Sequence, residues 1–169
     1  MNRALRSGVV IAFLIAGVVA ADDRQVDFDE QMDFAKFTTF SVGQGRITSN
    51  KPELSGSIVR ERIEAAIRRE LSAKGLREVP GQSDLVVMYG LGAANKADVQ
   101  TWVGPRGRRR ATSVNRFTEG TLVIDLRQRS SRELVWRGIY RDDEKDAGRI
   151  ARKLDEDVKK LFEKYPPKK

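Results

Sequence analysis

Two stretches of this chain repeat apolar residues every three or four positions, and the sequence between them does not. Ile58, Val59, Ile63, Ala66, Ile67 and Leu71 form the first stripe, with Arg60, Glu64, Arg68 and Arg69 mainly off it. Ala147, Ile150, Ala151, Leu154, Val158, Leu161, Phe162 and Tyr165 form the second. Each pattern is that of a helix with one face to bury. Such faces need an apolar surface to cover, and strand-like sequence between the stripes supplies it. The expected fold class is therefore α+β: a mostly antiparallel sheet of five or six strands with two amphipathic helices packed on one face.

The first helix is expected from Ser57 to Lys74. Ser55 or Ser57 can cap it, Glu61 favours the positive end of its dipole, and Gly75 suits the left-handed position that ends it. The second is expected from Asp143 to Tyr165, capped by Asp142 or Asp143, with Lys159, Lys160 and Lys164 near its C-terminal end and Pro166-Pro167 as the stop. Alternation predicts a short strand over Val26–Asp29, then a turn through Glu30–Asp33 and a second strand from Lys36 to Val42. Gly43 to Pro52 reads as a loop, and Leu76–Val79 as extended before the Pro80-Gly81 turn. Asp84–Leu91 is nearly continuous apolar sequence, the pattern of a central strand covered on both faces. Strand character resumes over Asp98–Val103, then in Phe117–Leu126 and Glu133–Tyr140, joined as a hairpin by residues 128–131. No repeat or linker divides residues 22–169, which read as a single domain.

Residues 1–21 read as an export signal. Arg3 and Arg6 precede the uncharged apolar run Gly8–Ala20, and small residues follow as Val18-x-Ala20 or Val19-x-Ala21. The run falls short of the roughly 20 residues that a membrane-spanning helix needs, so cleavage is favoured over an uncleaved anchor. A periplasmic or secreted location is expected, without a lipid anchor because the chain has no cysteine. The whole chain carries 32 Lys plus Arg and 24 Asp plus Glu, a net charge of +8; loss of Arg3 and Arg6 with the signal leaves +6. Outside the cytoplasm that charge points to anionic partners such as membrane head groups, lipopolysaccharide or wall polymers, with peripheral membrane contact, rather than to nucleic acid.

The chain has neither histidine nor cysteine. That excludes disulfides, thiolate nucleophiles, Ser-His-Asp machinery and the usual zinc sites. Paired carboxylates remain as a histidine-free route to hydrolysis. Glu119, Asp125, Asp142, Asp143 and Glu144 are available, but the last three sit where a helix N-terminus favours negative charge, and Asp125 lies on a strand facing away from Ile124 and Leu126. Ser72-Ala73-Lys74 has the residues of a Ser-Lys hydrolase but falls at a helix end. Trp136 and Tyr140 suit sheet packing, and Gly120 a bulge or turn. The sharpest local feature is basic: Arg106, Arg108, Arg109 and Arg110, loosened by Gly104, Pro105 and Gly107, with Trp102 before them and Arg116 after. Guanidinium groups on such a loop can grip phosphate oxygens in pairs, and a neighbouring Trp suits a membrane interface. The alternative is a solvated hairpin tip. No enzyme activity, cofactor or metal is expected; a binding or assembly module is, with an unidentified envelope protein or an anionic envelope polymer as partner.

Several segments, taken in order, resemble the bacterial envelope family called domain of unknown function 4136. They are Val26-Asp27-Phe28-Asp29; Asp33-Phe34-Ala35-Lys36-Phe37-Thr38-Thr39-Phe40; Glu70-Leu71-Ser72-Ala73-Lys74-Gly75-Leu76; and Asp84-Leu85-Val86-Val87. The most distinctive is Glu119-Gly120-Thr121-Leu122-Val123-Ile124-Asp125-Leu126, followed by Leu134-Val135-Trp136-Arg137-Gly138 and a last helix ending in Tyr165-Pro166-Pro167. The resemblance implies an envelope protein and supplies no catalytic residues. Members of that family are mostly lipoproteins with a modified cysteine; here Ala20-Ala21-Asp22 stands at that point, so tethering to the outer membrane does not carry over.

Overall fold

In the computed structural model, which describes residues 24–49, 51–103, 110–142 and 146–167, and the backbone alone within 93–119, two long strands form the axis. These are β5 (Leu85–Val103) and β6 (Arg110–Gln128), of 19 residues each, paired antiparallel along their whole length. On the far side of β6 lie β7 (Leu134–Asp142) and then β1 (Arg24–Phe28), both antiparallel to their neighbours. On the other side of β5 two short strands share its edge in parallel: β2 (Thr39–Val42) against Leu85–Val87, and β3 (Arg46–Ser49) against Gly90–Ala93. The two-residue β4 (Arg77–Glu78) closes that end beside β2. The sheet thus has seven strands among the described residues, mixed in direction but antiparallel over most of its ladder.

Helices α1 (Pro52–Ser55), α2 (Ser57–Ala73) and α3 (Ala147–Phe162) complete the α+β fold. Their buried residues join one core with Leu85, Val87, Tyr89 and Leu91 of β5 and Leu122, Ile124 and Leu126 of β6. The stripe of α2 is buried as Val59, Ile63, Ala66, Ile67 and Leu71, but Ile58 stands 73% exposed, one position outside it. The backbone of Gly56, not a serine side chain, caps the helix, and Gly75 ends it at φ +88°. In α3 the stripe is buried at Ala147, Ile150, Leu154, Val158, Leu161 and Phe162, with Ala151 partly buried against it, and Tyr165 is buried just beyond the helix end. Its N-cap is Asp146, whose carboxylate accepts from the Gly148 N–H, while Asp142 is still in β7; residues 143–145 lie outside the described residues. The β6–β7 hairpin has the expected connection.

Other expectations change. The Lys36–Val42 strand begins only at Thr39, because Phe34–Lys36 forms a turn of 3-10 helix. The 43–52 loop contains β3 and the start of α1. Asp98–Val103 is the continuation of β5 rather than a separate strand. That strand is covered on one face only: Leu85, Val87, Tyr89 and Leu91 are buried, whereas Met88 on the opposite face is 39% exposed. Gly120 makes neither bulge nor turn. A Cβ there would come within 3.2–3.3 Å of Ile150, so the position lets α3 approach the sheet closely. The irregularity falls instead at Leu126/Arg127, opposite Val135.

Candidate functional site

Two ends of the molecule have site-like character. At one, β3 leaves β5 at Ala93 and β7 leaves β6 at Gly120. Beyond these points no other strand among the described residues pairs with β5 or β6, which stay paired with each other from Ala94↔Glu119 to Val103↔Arg110. This two-stranded ribbon is ten residues long on each side, about 33 Å at ~3.3 Å per residue. Arg110 pairs with Val103, Trp102 with Ala111 and Arg116 with Ala97, so all three belong to the ribbon. Arg106, Arg108 and Arg109 lie outside the described residues, in the segment that joins the ribbon's two strands.

At the opposite end of β5 and β6 is a cleft of about 660 Å³, lined by Met32, Lys36, Phe37, Ser83, Asp84 and Arg129 among others. Local turns build it. Asp84 opens β5, and its Oδ2 accepts from the Thr38 N–H (2.9 Å), the Thr38 hydroxyl (3.1 Å) and the Thr39 N–H (2.9 Å). These donors, the Thr38 N–H foremost, hold its carboxyl below the ordinary range. Arg129, in the β6–β7 connection, donates to Ser41 Oγ (2.9 Å) and Ser83 Oγ (3.4 Å). The Ser83 hydroxyl lies 2.7 Å from the Leu85 carbonyl and 2.9 Å from the Ser41 hydroxyl. The cleft can hold polar groups against a guanidinium. Sequence reading missed it because Ser41, Ser83 and Arg129 are far apart in the chain; the polar run Gln82-Ser83-Asp84 is its one local sign.

The two candidate carboxylates that are described, Asp125 and Asp142, lie apart and are each paired with a cation. Asp125 lies on the open face of the sheet, as expected, in a two-pronged pair with Arg137 on β7 (2.7 Å for each bond), with Arg127 3.5 Å away. Asp142 bonds to Lys153 of α3 at 2.9 Å. The side chain of Glu119 and residues Asp143 and Glu144 lie outside the described residues. Among the described residues no three His, Cys, Asp or Glu side chains are grouped so as to hold a metal ion, and no helix is long and apolar enough to cross a membrane. Ser72-Ala73-Lys74 is the end of α2, with Lys74 as its C-cap.

Trp136 is fully buried, stacked on Phe162 (centroids 5.3 Å apart, 11° between planes) and edge-on to Tyr165. Tyr140 is also buried, with the Lys160 ammonium 5.9 Å from its ring centroid. Both are packing residues. Beside them is an unexpected acid: Asp157 of α3, 1% exposed, with Oδ1 lacking any hydrogen-bond partner. Burial raises its pKa to about 6, opposed by Lys153 and Lys160 and assisted by Asp142. The Trp136 indole N–H, likewise buried, has no acceptor.

The fold recurs in solved structures of distant sequence. A PDZ domain protein from Parabacteroides distasonis superposes with a TM-score of 0.62 at 14% identity, over 87% of this chain and 36% of that one. A DUF4136 family protein from Bacteroides thetaiotaomicron superposes with a TM-score of 0.58 at 17% identity, over 85% of this chain and 95% of that one. This chain thus spans about a third of the first structure's length and nearly all of the second's. No curated protein matches it. The model of the family described as domain of unknown function (DUF4136) matches residues 24–167, so that the whole sheet and its three helices fall inside the match, and the chain belongs to that family.

Proposed function

We propose that this chain is an exported, non-enzymatic binding or assembly module of the cell envelope, and that the β5–β6 ribbon is its contact element. The observation that carries this reading is the ribbon's continuation past every other described strand: ten paired residues on each side lie beyond the last pairs that β3 and β7 make with it. A single-domain protein gains nothing in core packing from such an extension, whereas a binding protein gains reach and two free strand edges. The signal-like N-terminus supports the envelope as its setting. In-cell crosslinking tests the proposal. Residues 95–118 are replaced by Asn-Gly, a two-residue turn that joins the paired positions Ala94 and Glu119. The shortened chain is expected to keep the body's melting temperature and lose most of its crosslinked partners; an unchanged set of partners would refute the proposal.

A second reading rests on charge. Arg106, Arg108 and Arg109 fall between the ribbon's paired ends, next to Arg110. This segment would grip phosphate-bearing polymers or lipid head groups. Arg108→Ser, Arg109→Ser and Arg110→Ser together should abolish salt-sensitive binding to phosphatidylglycerol vesicles or lipopolysaccharide. Equal binding by parent and variant at low salt rejects it.

A further inference from the structure

Resting on the reading of the ribbon as a contact element, we infer that its occupant is a second copy of this chain: the β5 edge of one ribbon pairs with the β6 edge of the next. Among the described residues neither edge of the ribbon is paired, since β3 pairs with β5 only as far as Ala93 and β7 with β6 only as far as Gly120. The backbone shows which groups are unpaired. Val87 accepts the Gly43 N–H on the side of β5 away from β6, so odd-numbered residues of β5 turn their peptide groups that way. Gln128 donates to Glu133 on the β7 side of β6, so even-numbered residues of β6 face away from β5. Carried along both strands, whose pairing has no register shift, this alternation turns Val99 and Thr101 outward from β5, and Thr112 and Val114 outward from β6.

Among the described residues these edges lack the usual protections. A solvent-exposed edge is normally blunted by proline, a bulge, dense charge or a covering element. Neither ribbon strand contains proline or glycine, and together they hold only Lys96, Asp98, Arg110, Arg116 and Glu119 as charged residues. The balance is neutral on the β5 strand and +1 on the β6 strand, so like charge does not keep copies apart. Val99, Thr101, Val103, Thr112, Val114 and Thr118 are β-branched and suit a sheet interior. A two-stranded ribbon is at best marginally stable in water, and a third strand is what stabilises it. Because the two open edges differ, a copy placed beside another in the same orientation leaves one β5 edge and one β6 edge free. That head-to-tail contact continues until the copies close into a ring. An unrelated extended peptide would satisfy one edge and leave the other open.

Proline at an outward-facing position removes a donor from the edge while sparing the ladder within the ribbon. Sedimentation velocity on the exported chain, from 1 to about 100 µM, an ordinary range for weak to moderate association, should show oligomers. Val99→Pro with Val114→Pro should reduce the mass at least twofold, to the monomer, with the body's melting temperature unchanged. Because the chain has no cysteine, separate Val99→Cys and Val114→Cys preparations, one of them tagged, can be mixed and oxidised. A mixed disulfide should form far faster than between two Ile58→Cys chains, whose cysteine sits on exposed helix surface. A parent that stays monomeric, a proline variant that assembles like the parent, or mixed crosslinking no faster than the control would each overturn the inference. A monomeric chain whose ribbon still captures other envelope proteins would overturn self-assembly alone and leave the proposed function standing.

Discussion

Replacing Asp157 by Asn should stabilise this protein at neutral pH and do little at pH 4. The carboxyl is 1% exposed, one of its oxygens has no hydrogen-bond partner, and burial lifts its pKa from 3.8 to about 6. The groups that face it are Lys153 and Lys160 on its own helix and Asp142 and Tyr140 on β7. The folded state therefore holds the Asp157 proton more tightly than the unfolded chain does. Its contribution to stability is complete below pH 4, falls as the pH rises through about 6, and is lost above that. The interval of about 2 pH units corresponds to about 3 kcal/mol at ~1.4 kcal/mol per unit. Asn keeps the shape and removes the charge, although its amide leaves part of its hydrogen bonding unmet, so a gain of about 1–3 kcal/mol at pH 8 is expected. For a domain of this size that is about 3–10 °C in melting temperature. Urea unfolding of both chains at half-unit steps from pH 4 to 8 measures the difference directly. It should be near zero at pH 4 and level off above pH 7. A variant less stable than the parent at pH 8, or a difference that does not change with pH, would refute the assignment of an unfavourable buried charge.

Two further substitutions test the packing and the cleft. Gly138→Ala would set a methyl 2.6 Å from the Trp136 ring and 3.2 Å from Leu161, both held by the core; a loss of about 1–3 kcal/mol in urea unfolding, with altered tryptophan fluorescence, is expected. Asp84→Ala leaves the Thr38 N–H, the Thr38 hydroxyl and the Thr39 N–H without their acceptor and should lower stability by about 1–2 kcal/mol at pH 7. The lowered pKa of Asp84 gives a pH dependence opposite to that of Asp157. Its contribution is present above the ordinary carboxylate range and disappears on acidification, so parent and variant should converge towards pH 3.

Elements set by local pattern were legible in the sequence. Both amphipathic helices, the left-handed Gly75 and the β6–β7 hairpin follow from spacing and turn chemistry that span a few residues. Elements set by distant partners were not. Arg46–Ser49 is a strand because β5 offers it an edge some 45 residues away; Ile47-Thr48 suits a strand but is too short a run to stand out from the loop-like residues around it. The step from β2 to β3 passes Gly45, where a side chain would run into the Tyr89 ring, a constraint visible only once the strands are paired. Val86 and Met88 are apolar yet face outward, which is why β5 reads as covered on both sides. The site residues divide in the same way. Asp125 was placed correctly by the alternation of its own strand, whereas Asp157 hides inside a run of charged residues on α3. Its burial follows from the helix's rotation against β7, which periodicity alone places within one residue at best. Ser41, Ser83 and Arg129 meet only because β2, the entry to β5 and the exit from β6 come together at one end of the sheet.

The distribution of charge ties the two readings of the ribbon together. Residues 94–119 contain Lys96 and five arginines against Asp98 and Glu119, a balance of +4 out of the +6 expected after export. Most of that excess belongs to Arg106, Arg108 and Arg109, between the strands, so the ribbon's edges are nearly neutral while the segment that joins them is strongly basic. One copy offers an anionic surface a few guanidinium groups, each worth little when solvated and screened by salt. Copies joined edge to edge through their ribbons would hold several such segments within reach of one polymer or one membrane patch, and binding at the second and later contacts becomes intramolecular. Self-assembly through the strands and anion binding through the arginines are then two parts of one device, the first supplying the multiplicity that the second requires. If so, the outward-facing prolines, which replace no arginine, should weaken vesicle binding as severely as removing Arg108, Arg109 and Arg110.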